Sequence, residues 1–97
     1  MIFLSDFAFG QKPDADILLK EALYETNVNK DYNKALSIAE TALKLAPEYT
    51  DVIFLLGRLH MLQGDGEKAK VYLKRVLEKD SKNLDALNYL INIEASE

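Results

Sequence analysis

The segment Asp31–Val52, DYNKALSIAETALKLAPEYTDV, returns thirty-four residues later as Asp65–Ala86, DGEKAKVYLKRVLEKDSKNLDA. Asp31 matches Asp65, Lys34 matches Lys68, Ala35 matches Ala69, Leu43 matches Leu77 and Asp51 matches Asp85. Apolar character persists where identity changes, as in Ala39 and Leu73, Ala42 and Val76, Ile53 and Leu87, and Leu56 and Leu90. Within each copy the apolar residues recur at three- and four-residue steps, the period of a helix with one buried face. Two helical patterns per copy, repeated at a fixed offset, describe a helical repeat rather than a single bundle.

Working outward, each helix has a start and a stop. Asp31 and Asp65 are placed to cap the second and fourth helices, and Thr50 or Asp51 the third. Pro47 ends the second helix, because its ring disfavours helical geometry at Ala46. Gly64 closes the third, tolerating the left-handed conformation common just past a helix end. Upstream, Pro13 suits a first helical turn, with Asp14 and Asp16 near the positive helix end. Ile17, Leu18, Leu19, Ala22 and Leu23 give that first helix its apolar face, and it should fade across Asn27–Lys30. Ser81–Asn83 form a turn, and Leu84, Leu87, Leu90, Ile91 and Ile93 mark a fifth helix. Connections this short force consecutive helices to pack as antiparallel neighbours. The expectation is an all-α chain with a helical domain over 13–97.

Gly57 is the sharpest internal clue. In an exposed helix interior it costs about 1 kcal/mol relative to alanine. Ala69 lies on the facing stripe of the next helix, so two small residues meeting there would let the axes approach and offset that cost. Ala35 holds the corresponding place one copy earlier.

Leu55–Gly57, Ala69 and Pro47 carry a resemblance to the tetratricopeptide repeat family, over about Asp14 to Glu94. The resemblance implies a right-handed helix-pair solenoid, with repeats at about 14–47 and 48–81 and an extra helix at 83–95. It implies a non-enzymatic scaffold that holds a protein or peptide in a concave groove. In the phase set by Gly57, the groove would be lined by Lys20, Tyr24 and Asn27, then Phe54, Arg58 and Met61, then Asp85, Asn88 and Asn92. Phe, Tyr, Met and Arg are types enriched at interface centres. Departures are visible: Ile53 and His60 replace usual aromatics, Ser81 replaces a proline, and Leu23 stands where a small residue is expected. The carboxylate clamp of some members is not matched, since Tyr24, Leu55, Asp85 and Tyr89 occupy its places beside Lys20.

The run from Tyr49 to Ala69, with Val76–Glu94, is also similar to the repeat region of YaiO-like outer-membrane proteins. That similarity implies a bacterial envelope or periplasmic setting, with the chain as the structural or assembly repeat portion of a larger cell-envelope protein; a cytoplasmic setting is the alternative. Residues 1–12 form a separate apolar segment. Met1–Gly10, MIFLSDFAFG, reads either as the remnant of a signal peptide or as a terminal segment outside the core.

Composition narrows the rest. The net charge is −4, with basic residues scattered among acidic ones, so the basic stripe of a nucleic-acid binder is missing. There is no cysteine, which removes thiolate chemistry and disulfides. His60 is the single histidine, so a zinc site lacks its usual ligands and no cofactor is expected. No serine has a credible base, and no apolar run reaches the roughly 20 residues that cross a bilayer. Pairs such as Glu40/Lys44 and Lys74/Glu78 should support their helices modestly. Leu87 and Ile91 point where a following helix would pack, which reads first as a fragment of a larger protein, second as self-association into a homodimer through these residues, and third as coverage by a partner.

Overall fold

In a computed structural model, residues 14–97 are described; the expectations for Met1–Gly10 and Pro13 lie outside them. The described chain forms five α-helices: α1 (Ala15–Tyr24), α2 (Tyr32–Leu45), α3 (Thr50–Leu62), α4 (Gly66–Lys79) and α5 (Leu84–Ser96). A π-helical turn, Glu25–Asn29, prolongs α1. No strand occurs among the described residues. Each helix packs on the next, and α3 also touches α1 and α5, giving an elongated stack of 50 × 27 × 18 Å.

Side-chain caps account for most of the starts. Asp14, Asp31, Asp65 and Asn83 each accept the backbone N–H three residues on, at 2.9–3.1 Å. The third helix departs from expectation. Its N-cap is Tyr49, with no side-chain cap bond, and neither Thr50 nor Asp51 takes that place. A missing cap costs about 1 kcal/mol. Helix α3 buries Val52, Ile53, Leu55, Leu56 and Leu59, each worth about 1.5–3 kcal/mol, so burial decides that it is a helix.

The core falls into two clusters that share α3. Val52, Leu55, Leu56 and Leu59 join Leu19, Ala22 and the α2 alanines Ala35, Ala39 and Ala42. Ile53, on another side of α3, joins Ala69, Leu73, Val76, Ala86, Leu90 and Ile93. Leu43 and Tyr72 pack against both.

Gly57 permits a close approach of α3 and α4. A Cβ at this position would stand 2.9 Å from both Cγ and Cδ2 of Leu73. The space is a notch filled by the leucine of α4, and Ala69 is fully buried in the second cluster. Pro47 follows the α2 C-cap Ala46 as anticipated. The expected pairs Glu40/Lys44 and Lys74/Glu78 are not among the ion pairs of the described residues. The ion pairs run mostly between elements: Lys34–Glu25, Lys79–Glu48 and Lys70–Glu97, with Lys70–Glu67 inside α4.

Candidate functional site

The site begins with one extra residue. Downstream landmarks of the two helix pairs keep the sequence offset: the caps Asp31 and Asp65 lie 34 apart, as do the left-handed Lys30 (φ 57°) and Gly64 (φ 82°). Upstream landmarks do not. The N-caps Asp14 and Tyr49 lie 35 apart. The added residue sits in the π turn, where Asp31 N–H reaches back to Glu25 C=O, while Asp65 N–H reaches only to His60 C=O. An insertion of one residue turns everything before it by about 100° about the helix axis.

That rotation moves the α1 part of the expected groove. Ala22, fully buried, takes the place of Gly57 in the first pair, and Leu23 turns toward α3. Leu19 and Leu23 line a trough of about 210 Å³ with Asp51, Phe54, Leu55 and Arg58. Lys20 and Tyr24, expected in the groove, instead line a separate depression of about 470 Å³ with Glu21, Glu25, Lys34 and Ile38.

The other expected residues are partly brought together. Arg58 Nη2 donates to Asn27 Oδ1 at 3.0 Å, which ties α3 to the π turn. Phe54 lies beside Tyr89 of α5, with ring centroids 5.5 Å apart and planes inclined by 35°. Met61 and Asn92 share a depression of about 450 Å³ with Gly64, Gly66, Ile93 and Ser96. Asn88 and Asp85 are exposed and line none of these. Leu19, Leu23, Asp51 and Tyr89 were not anticipated as lining residues. A signal for the first two was present in Leu23, which misfits the small-residue position until α1 is slid by one.

The chemistry of the trough is an apolar floor with one cation and one carboxylate at its rim. A contacting side chain would be gripped by Phe54 and the two leucines, and oriented by Arg58 and Asp51. Tyr49 Oη donates to Asp16 Oδ1 at 2.5 Å, latching the start of α3 to the start of α1. That hydrogen bond is the main reason the phenol is pushed up to about 12.

His60 is buried and faces α4, stacked on Tyr72 with centroids 5.5 Å apart and planes 4° from parallel. Burial holds its imidazole below the ordinary range. Arg75 lies over the Tyr72 ring at 5.9 Å, so the three side chains form a ladder across α3 and α4. Among the described residues, no cluster of three or more His, Asp or Glu could hold a metal ion, and no helix is long and apolar enough to cross a membrane.

Antiparallel helix pairs stacked with α1, α3 and α5 contributing one face define a helical-repeat solenoid. The tetratricopeptide repeat family model matches residues 29–93, and the chain belongs to that family. No curated protein sequence matches it. Tetratricopeptide repeats generally mediate protein–protein interaction, and their usual role is that of a scaffold.

Proposed function

We propose that the chain is a non-enzymatic scaffold that holds an extended peptide or partner segment along the α1–α3–α5 face. The trough between α1 and α3 carries this reading. It offers an apolar floor of Leu19, Leu23 and Phe54 between Arg58 and Asp51, a combination suited to one apolar side chain flanked by polar backbone. Phe54 connects the trough to Tyr89, so the apolar path extends from α1 to α5. Met61 and Asn92 then offer a second depression for the continuing segment, with the Asn92 amide available to peptide groups.

Quantitative pull-down from source lysate tests the reading. Proteins held by the wild-type chain should be lost by Phe54→Ala/Arg58→Ala and retained by Lys20→Ala/Tyr24→Ala. Undiminished capture by a folded Phe54→Ala/Arg58→Ala variant would reject the groove. Loss of capture by Lys20→Ala/Tyr24→Ala alone would move the binding face to the α1–α2 depression.

A further inference from the structure

Helix α5 is covered on one side only. Ala86, Leu90 and Ile93 are buried in the second cluster, whereas Leu84, Leu87 and Ile91 are 71%, 36% and 60% exposed. The N-caps Tyr49 and Asn83 keep the 34-residue offset, so α5 and α3 share a register. Leu87 and Ile91 therefore stand where α3 has Ile53 and Gly57. On α3 that stripe lies under α4: Ile53 is buried with Ala69, and Leu73 fills the space over Gly57. On α5 the same stripe is open among the described residues.

Two side chains on it specify what fits. Ile91 is bulky where α3 has Gly57 and, allowing for the π turn, α1 has Ala22. Opposite those two, at one register, stand Leu73 of α4 and Ala39 of α2. Bulk at this crossing is shared, glycine with leucine and alanine with alanine, so an isoleucine calls for alanine or glycine opposite.

The second is Glu94, in the register of His60 and, through the same one-residue shift, of Glu25. Glu25 has only 12% of its side chain exposed under α2, and Lys34 Nζ meets it at 3.4 Å. Covering Glu94 would bury a carboxylate, which is strongly unfavourable without a cation brought alongside. Residues 83–97 hold Asp85, Glu94 and Glu97 and no Lys or Arg. A second α5 laid antiparallel therefore cannot supply that cation and adds like charge.

We propose that the Leu87–Ile91–Glu94 stripe docks an amphipathic helix of another protein, antiparallel to α5. That helix carries lysine or arginine in its first turn and alanines one, five and eight residues later, the arrangement of Lys34, Ala35, Ala39 and Ala42 in α2. The stripe differs from the α1–α3 trough, and the proposal stands or falls independently of it.

The probe is a fluorescein-labelled peptide of the α2 sequence, Asp31–Ala46, stapled through the exposed positions 37 and 41 and titrated into the full chain. Saturable binding with Kd below about 1 mM is expected. Lys34→Glu in the peptide should weaken it by about ten-fold or more, because the carboxylate it meets is covered on docking. Glu94→Lys in the chain should reverse that preference, and Ile91→Asp should abolish binding while circular dichroism stays helical. No saturation by about 1 mM would overturn the proposal. So would equal affinity of the two peptides, or binding that survives Ile91→Asp, which would mean exchange with the chain's own α2. Sedimentation showing a dimer of the chain alone that Ile91→Asp dissolves would also overturn it, assigning the stripe to a second copy.

Discussion

Where α2 buries Ala35, Ala39 and Ala42, α4 buries Ala69, Leu73 and Val76 at the same register. The first helices of the pairs compensate, with Ala22 on α1 and Gly57 on α3. The α3–α4 crossing concentrates its bulk in one leucine seated in one notch, while the α1–α2 crossing spreads it over small side chains. The first pair also carries one more residue before its second helix, absorbed as a π turn. Two pairs with one sequence period thus differ in rotation and in where the bulk sits, and the rotation sets which α1 side chains line the trough with α3.

The comparison can be broken most severely at the π turn. Deleting Val28 should restore the 34-residue offset throughout and turn α1 by about 100°. Leu19 and Ala22 would leave the first cluster, at a loss of about 3–5 kcal/mol typical of emptied core positions, seen as a lower denaturation midpoint. Arg58 would lose Asn27 as partner in the same variant.

Next in size is Leu73→Ala, which empties the Gly57 notch and should cost about 3 kcal/mol in urea unfolding. Gly57→Ala alone brings its new methyl group within 2.9 Å of Leu73, so steric overlap should outweigh the helix propensity gained. In the Leu73→Ala background the same change should instead stabilise by about 1 kcal/mol, since the second pair then copies the first. A double-mutant cycle with no coupling between the two positions would show that the notch is unimportant.

A smaller effect sharpens the turn comparison. Lys30 holds the left-handed conformation that Gly64 holds in the second pair. Lys30→Gly should therefore stabilise by about 0.5–1 kcal/mol, and thermal melts would detect it.

The smallest effect concerns His60, whose folded pKa is depressed by burial. The native state then resists a proton that the unfolded chain accepts below about pH 6.5. Its contribution is complete above that value and is lost as pH falls from there toward the folded pKa. Wild type should lose more stability than His60→Gln between neutral and mildly acidic pH, in matched melts across that range.

Most of the fold was legible because capping and periodicity are local. Asp31, Asp65, Gly64 and Pro47 act within one helical turn, and each does in the structure what its side chain or ring permits. Thr50 and Asp51 misled for a physical reason: α3 is held by burial on two sides and dispenses with a side-chain cap. Which α1 side chains line the trough was not legible, because an added residue in a π turn leaves composition and turn chemistry unchanged while rotating the helix before it. Lys20 and Tyr24 lie one residue out of phase with the trough, whereas Phe54 and Arg58 of α3, with no insertion between α3 and α4, line it. Leu73 in the Gly57 notch was hidden for another reason, since spacing tells which stripe faces a neighbour but not which side chain enters a given gap.

Helix α3 contributes to both apolar clusters, whereas α5 is gripped from one side. A pulling force applied between the two ends should therefore peel α5 away first, at low load. The remaining four helices would then give way together, because severing either half withdraws support from the segment that the other half needs. Extension traces would show one weak early step and one larger late one.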